Sequence, residues 1–251
     1  MNLFADAIRF LFDPASYIGN KSIALRLVEH LDYTGISMLL ALAIAIPLGL
    51  LVGHTGKGRN LAVTVTSAAR SLPSLGLLFF FVLLFGLGLF PLIIALVLLA
   101  IPPILAGAYA GLEAVSRDTI DAARAIGMTE WQVLVRVEVP LAAPLILGGI
   151  RGAVLQVIST ATIAGFAALG GLGRFLVEGL AVHDYTLVLA GAILVAVLAL
   201  LVDGVLALIQ RFAVPPGVSG GAAGTTHRTT GRPRRRLRVA GTPTQGRITA
   251  S

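Results

Sequence analysis

The chain has no cysteine among its 251 residues, and it is poor in charged and aromatic side chains. The absence of cysteine excludes disulfides, thiol nucleophiles and thiolate metal sites. Only 12% of the residues are charged, whereas the charged share of a typical soluble domain is about a quarter. Aromatic residues make up 6%, which leaves few rings from which an aromatic cage around a cationic ligand could be built.

Signatures of catalysis and cofactor binding are also missing. The segment Gly53 to Gly58 resembles a phosphate-binding loop, but the full G-x-x-x-x-G-K-[ST] pattern is absent and no strand precedes it. No G-x-S-x-G or H-E-x-x-H pattern is present. The histidines are far apart and have no carboxylate partners at ligand spacing: His30, His54, His183 and His227. We therefore predict no catalytic site, no metal site and no cofactor in this chain.

Apolar residues dominate instead, at 57% with a mean hydropathy of +0.93. A helix needs about 20 apolar residues to cross a bilayer core. Five runs meet that length and predict an all-α membrane protein with spans at about 34–53, 72–89, 91–112, 141–164 and 186–209. Residues 61–70 are either an interfacial turn or the lower part of a longer helix broken near Pro73. The glycine-rich stretch that opens 170–185 indicates an exposed connection.

Positive charge marks one side of the predicted membrane domain. Residues 1–216 hold equal numbers of basic and acidic side chains, so the net charge of +7 belongs to arginines in 217–251. Within the membrane domain, basic residues collect after the first, third and fifth spans: Lys57, Arg59, Arg117, Arg124, Arg136 and Arg211. The positive-inside rule makes these loops cytoplasmic. With five spans, the N-terminus then faces outside and the C-terminus faces the cytoplasm.

Two terminal segments flank the predicted membrane domain of 34–211. Residues 1–33 begin with an amphipathic stretch suited to a helix in the membrane interface, and they continue as a linker. Residues 212–251 are rich in Gly, Thr, Pro and Arg, and they predict a basic, disordered cytoplasmic tail. We interpret the tail as a solvated segment that fixes orientation; the alternative is contact of its arginines with anionic lipid or RNA.

A polar interlude at 116–140 separates the third and fourth spans. Ser116 can cap a first helix that Gly127 ends in the left-handed conformation, and Thr129 can open a capping box for a second helix. Trp131, the sole tryptophan, either packs between these helices or contacts a partner. The residues that carry the pattern of the interlude are Asp121, Ala122, Ala123, Gly127, Val137, Val139 and Pro140.

This interlude resembles the EAA loop of ABC-importer permeases. The family pattern is Glu-Ala-Ala, three residues, Gly, nine residues, then Ile-x-Leu-Pro, and every spacing is kept here. Asp121, Val137 and Val139 replace the glutamate, isoleucine and leucine. In that family the loop is the cytoplasmic coupling helix that docks on a separate ATPase. The resemblance implies the MetI-like permease fold of five transmembrane helices. Apart from the resemblance, Pro140 and Pro144 suit the first turn of a helix that follows the interlude, because the amide donors there are spare anyway.

Further pieces extend the resemblance over about 29–210 to the permeases of osmoprotectant importers. They include Glu29 to Leu31, Leu72 to Leu75 and Gly170 to Gly173. Those importers move glycine betaine, choline, carnitine or related quaternary amines. Permeases of methionine importers share the five-span core and several of the same pieces, so a methionine-type or other small-solute importer is the alternative.

The resemblance also implies partners and a location. The expected partners are an ABC ATPase that uses ATP, a second identical or related permease subunit, and an extracytoplasmic solute-binding protein, with no nucleic acid. The expected location is the plasma membrane. Two functions of another class stay open: a secondary transporter, which should show inverted repeats and usually more spans, and a membrane scaffold without transport.

Polar side chains within the fourth predicted span are candidates for the transport route, because polar groups in hydrocarbon are costly unless they face protein or water. They are Gln156, Ser159, Thr160 and Thr162. The alternative is that their hydroxyl groups bond back to the helix or pack against a neighbouring one.

Arg151 and Asp203 are charged residues inside the fourth and fifth spans. At about 1.5 Å per residue they lie roughly 16 Å and 12 Å from the cytoplasmic ends of two antiparallel helices. The similar depths predict an ion pair that joins the two spans; the alternative is that each side chain reaches the interface separately.

Overall fold

The computed structural model describes residues 2–19, 22–167 and 169–213. Within these ranges the chain is helical and has no strand, which confirms the all-α prediction. Residues 214–251, and with them nearly all of the predicted tail, lie outside the described residues. The helices in chain order are α1 Leu3–Phe12, α2 Ile23–Thr55, α3 Arg59–Arg70, α4 Ser74–Phe85, α5 Leu89–Glu113, α6 Arg117–Ala125, α7 Glu130–Val133, α8 Val139–Ala161, α9 Gly173–Ala181 and α10 Tyr185–Ala213.

Four helices are long and apolar enough to cross a membrane. They are α2, α5, α10 and the stretch Glu130–Ala167, which contains α8. Helices α3 and α4 meet at an angle of 91° and make a fifth span if the bent pair is counted as one. The five-span prediction agrees with this arrangement when the bent pair is included.

The second span differs in form from the predicted 72–89. Helix α4 has only 12 residues, or about 18 Å, and is too short to cross a hydrocarbon core of about 30 Å alone. Pro73 precedes it in an extended conformation that a helix cannot continue through, and Gly86, with a φ of 84°, ends it. The structure thus favours the interpretation of a longer helix broken near Pro73.

Helix α5 is the centre of the packed core. Both of its flanks are covered, because α2 packs on one side and α8 on the other. Gly49 and Gly53 bring α2 close to α5: a Cβ on Gly49 would lie 2.5 Å from the Ala108 Cβ, and one on Gly53 would lie 2.7 Å from the Leu112 Cβ. Small residues allow such close approach between membrane helices.

The segment after α8 corrects the prediction of an exposed connection for its glycine-rich first part, whereas 180–185 is exposed as predicted. A 3-10 stretch, Thr162–Ala167, leads into the glycine-rich link, where Leu172 and Gly173 are buried. A Cβ on Gly173 would overlap the backbone of Thr162. Glycine is required here because two backbone segments touch, so the pattern marks close packing and not exposure.

Candidate functional site

The coupling-loop candidate at 116–140 begins with local capping geometry. The Ser116 side chain accepts a hydrogen bond from the Thr119 N–H at 3.3 Å and caps α6. Gly127 follows α6 with a φ of 87°, a conformation that glycine adopts without steric cost. Thr129 and Gln132 form a complete capping box at the start of α7. Each of these local features was predicted from the sequence.

Pro140 lies in the first turn of α8, as predicted. The new feature is the junction before it, where α7 continues into α8 through a π-helical turn, Leu134–Glu138. The Val139 N–H bonds to the Leu134 carbonyl, five residues back. Because Pro140 has no N–H to donate, the wider turn adjusts the hydrogen-bond register just before it, and the helix axis continues.

The residues of the EAA-like pattern are divided between core and surface. Ala123 is buried in a cluster with Leu112 of α5 and Ala142 of α8, whereas Asp121, Ala122, Gly127 and Pro140 are exposed. Val137 and Val139 are half-buried. The loop therefore has one face anchored in the permease and another face free.

An ionic cluster braces the exposed face of this loop. The Arg124 guanidinium donates two hydrogen bonds of 2.9 Å to the Glu130 carboxylate, across the Gly127 hinge. A third contact, to Asp121 within α6, is longer, at 3.5 Å. Hydrogen bonding to Glu130 raises the pKa of Arg124 above its ordinary value. The pair thus links the two short helices across the hinge, although its side chains are 43% and 59% exposed.

Two large apolar side chains project from the same region. Ile126 is 77% exposed and Trp131 is 72% exposed, on either side of the hinge. Of the two roles expected for Trp131, packing between the helices is not observed. Tryptophan is among the residues most enriched at the energetic centres of protein–protein interfaces.

The predicted pathway residues lie along the C-terminal half of α8 and just after it. Gln156 and Ser159 are exposed, and Thr162 is half-buried. The Ser159 hydroxyl donates to the Leu155 carbonyl at 2.9 Å, and Thr162 donates to the Ser159 carbonyl at 2.7 Å. These hydrogen bonds to the helix's own carbonyl groups agree with the alternative to a pathway role. Each hydroxyl oxygen can still accept a further hydrogen bond.

Gln156 and Thr160 also border a groove of about 440 Å³ beside the bend between α3 and α4. The Gln156 amide donates to the Leu99 carbonyl at 3.3 Å, which fixes its side chain at the groove wall. The groove has no charged lining residue among those described: its lining consists of Ala69, Leu72, Ser74, Leu99, Gln156 and Thr160.

The structure brings Arg151 and Asp203 together across α8 and α10. Arg151 Nε lies 2.5 Å from one Asp203 oxygen, and a terminal guanidinium nitrogen lies 2.6 Å from the other. This two-point geometry is the strong form of an arginine–carboxylate pair. The side chains are 35% and 27% exposed, so the pair lies at the edge of the packed helices.

Two further polar clusters were missed from the sequence. His54 Nδ1 lies 2.5 Å from a Glu138 oxygen, and His30 lies between Ile158 and Leu172. Both histidines were considered only as metal ligands. No group of three or more potential ligands is close enough to hold a metal ion within the part of the chain that the structure describes. The sequence pointed to His30 in part, since Glu29 and His30 belong to a segment that resembles osmoprotectant permeases.

Comparison with known proteins identifies the family. Residues 45–213 match the family described as binding-protein-dependent transport system inner membrane component. The glycine betaine/carnitine/choline transport system permease protein OpuCB of Bacillus subtilis is 36% identical, over 76% of this chain and 88% of that protein. The osmoprotectant import permease protein OsmW of Salmonella typhimurium is 33% identical, over 85% of this chain and 99% of that protein.

Solved structures show the same fold. An inward-facing form of the MetNI methionine ABC transporter matches with a TM-score of 0.70 and 22% identity, over 77% of this chain and 96% of that one. An amino acid ABC transporter matches with a TM-score of 0.61 and 19% identity, over 75% and 92% of the two chains. The family implies an ATPase subunit and a solute-binding protein as partners. The chain thus belongs to the binding-protein-dependent transport system inner membrane component family, as a multi-pass plasma-membrane permease subunit of an ABC importer.

Proposed function

We propose that this permease carries quaternary-amine osmoprotectants such as glycine betaine, and that a separate ATPase subunit drives the transport. The observation that carries this proposal is the 36% identity to a permease named for glycine betaine, carnitine and choline, over 88% of its length. The uncharged groove beside Gln156 supports it, because a zwitterion or a cation would meet no fixed charge of either sign there. Selection among solutes then falls to the binding protein.

The coupling loop is the contact with the ATPase. Its free face carries Ile126 and Trp131 beside the exposed residues Asp121 and Ala122, and Gly127 sets the angle between the two short helices. Buried Ala123, with Val137, Val139 and Pro140, links that face to α8. The acid at Asp121 and the cation at Arg124 add polar contacts at the rim, where they favour docking in one orientation.

A second permease subunit completes the route. One face of α8 carries Gly148, Gly152, Gln156 and Ser159 at helical spacing, and all four are exposed. A Cβ on Gly148 or Gly152 would meet nothing within 4 Å. Two such faces, from identical or related subunits, enclose a passage lined by small and polar groups. Thr160 and Thr162 continue that lining toward the outside.

In the proposed orientation, the basic loops and the coupling loop lie in the cytoplasm. The N-terminus is outside and the C-terminus is inside, as the positive-inside rule requires for five spans. ATP binding draws the two coupling loops together and rocks the helices outward-open, and hydrolysis resets them. The Arg151–Asp203 pair keeps α8 and α10 together during this movement.

Uptake of labelled glycine betaine by proteoliposomes that contain permease, ATPase and binding protein tests the proposal. We expect uptake that requires ATP and that excess choline or carnitine inhibits. Competition by methionine alone would assign a methionine-type importer instead. Uptake that persists without the ATPase would identify a secondary transporter, and no uptake of any solute would favour a scaffold.

A further inference from the structure

Helix α2 is fixed to other elements at both of its ends by histidine. At its inner end, His54 Nδ1 and a Glu138 oxygen share a hydrogen bond of 2.5 Å, in which an ionised carboxylate can only accept. The Glu138 side chain is only 3% exposed, so this carboxylate has little contact with water. A buried carboxylate of this kind is costly unless it is hydrogen-bonded, and His54 supplies the bond.

The π-helical turn explains why Glu138 faces inward. In a π turn, residues five apart lie on the same face, and Val133, five residues before Glu138, is completely buried. In a regular α-helix, residues five apart point in clearly different directions. The turn therefore aims Glu138 at the end of α2.

The same contact extends to the coupling loop. His54 Nε2 lies 3.4 Å from Glu130, which makes an ion pair when the imidazole carries both protons, and Glu130 accepts both hydrogen bonds from Arg124 of α6. A continuous row of side chains, Arg124, Glu130, His54 and Glu138, thus joins the coupling loop to α2. We call this row the inner relay.

At the outer end of α2, His30 is completely buried and makes two hydrogen bonds. The Leu172 N–H donates to Nδ1 at 3.3 Å, so Nε2 carries the proton and donates to the Ile158 carbonyl at 2.9 Å. The neighbouring Glu29 accepts the Gly171 N–H at 2.7 Å. Helix α2 is therefore fixed to the end of α8 and to the glycine-rich link.

The two anchor points are separated by the thickness of a membrane. His30 and His54 are 24 positions apart on one continuous helix, or about 36 Å at 1.5 Å per residue. A hydrocarbon core is about 30 Å thick. Helix α2 thus connects the coupling loop on one side to Ile158 and Leu172 on the other.

We propose that α2 transmits movement of the coupling loop to the outer segments 158–167 and 169–172. The inner relay couples the loop to α2, and Glu29 with His30 couples α2 to these outer segments. This inference rests on the proposed function, since it assumes an ATPase that moves the loop. It makes His54, Glu138, Glu29 and His30 positioning residues for transport. None of them contacts solute or ATP.

Substitutions of His54 show whether transport requires its hydrogen bond to Glu138 or only the packing of its side chain. The amide nitrogen of asparagine takes the place of histidine Nδ1, whereas that of glutamine takes the place of Nε2. In proteoliposomes of the complete complex, we expect His54→Ala to lower glycine betaine uptake per ATP hydrolysed by about tenfold, the worth of one charge-assisted hydrogen bond. His54→Asn should restore most of that ratio, and His54→Gln should not.

The matched control is the Arg59–Glu113 pair, which joins α3 to α5 on the same side of the protein at 2.9 Å. Its side chains are 58% and 43% exposed, so Arg59→Gln should leave the ratio unchanged. The proposal is overturned if His54→Ala keeps the wild-type ratio, if His54→Asn is no better than alanine, or if Arg59→Gln is equally damaging. Absence of ATP-dependent uptake by the wild type would instead reject the proposed function.

A labelling experiment detects movement of the outer segment without any transport assay. The chain has no cysteine, so Phe166→Cys in the 3-10 stretch introduces one thiol at an exposed position. We expect its rate of modification by a thiol reagent to change when ATP and vanadate are added to the complex with a cysteine-free ATPase. His54→Ala and Glu29→Gln should each abolish that change, and Arg59→Gln should keep it. A change that survives in both variants would overturn the proposal.

Discussion

Gly107 of α5 and Gly149 of α8 lie with their backbones in contact. A Cβ on Gly107 would lie 2.8 Å from the Gly149 Cα, and a Cβ on Gly149 would lie 2.9 Å from the Gly107 Cα. Such distances leave no room for any side chain at either position. The two central helices of the permease thus approach as closely as their backbones permit. Close approach increases van der Waals contact, which matters because the hydrophobic effect does not drive helices together in lipid.

Gly107→Val should therefore separate α5 from α8. We expect a loss of about 1–3 kcal/mol in the free energy of unfolding, because neighbouring backbone cannot move aside as a flexible side chain could. Thermal unfolding of the detergent-solubilised chain measures the effect. The control is Gly204→Ala in α10, where a Cβ meets nothing within 4 Å. Equal losses at both positions would show that the close contact is not what glycine provides.

A second prediction concerns Gly127 in the coupling loop, where only the backbone conformation demands glycine. Its φ is 87° and a Cβ there would meet nothing within 4 Å. Gly127→Val should cost about 1–2 kcal/mol locally and weaken binding of the ATPase, whereas Gly127→Asn should be milder because asparagine tolerates this region. Co-purification of the ATPase with each variant, at equal permease yield, measures the difference. Similar binding by both variants would contradict the backbone argument.

The helical elements of the loop were predictable from sequence because their causes are local. Ser116, Gly127 and Thr129 each act on backbone groups within a few residues, so their spacing alone specifies caps and a hinge. The long apolar runs likewise specify α2, α5, α8 and α10, since length and hydropathy decide what a bilayer accepts.

The contacts that were missed depend on residues distant in sequence. His54 and Glu138 meet only because α2 and α8 both pack on α5, and the π turn that aims Glu138 inward has no simple sequence signature. The burial of Leu172 depends on packing against Ile23 of α2 and Ile158 of α8. Glycines near Gly171 suit an exposed turn and a tight packing site equally well, so composition could not decide between them.

A third prediction tests the exposed tryptophan of the coupling loop. Because Trp131 is 72% exposed, Trp131→Ala should leave the unfolding temperature of the isolated chain unchanged. If Trp131 inserts into the ATPase, the same change should weaken binding by about 30-fold, since a central aromatic contact contributes about 2 kcal/mol or more. Titration calorimetry or surface plasmon resonance with purified ATPase measures the affinity. Phe12→Ala in α1, which also removes an exposed ring, is the control and should bind normally.

The last prediction concerns the pair Arg151 and Asp203, which joins α8 to α10 through two hydrogen bonds of 2.5 and 2.6 Å. Removing one partner leaves the other charge without its counterion beside lipid, so Arg151→Met and Asp203→Asn should each lower the yield of folded protein and ATP-driven uptake. Exchanging the charges in Arg151→Asp with Asp203→Arg restores opposite signs on the same two helices and should recover much of both. The measurement is solute uptake per folded permease, determined for the two single variants and the exchange. The double change Arg151→Met with Asp203→Leu removes both charges and distinguishes two roles of the pair. Normal uptake by this variant would mean that the pair only neutralises two charges. A persistent defect would mean that the ion pair itself holds α10 to α8 during transport. A charge exchange no better than either single variant would contradict a role for the pair in both respects.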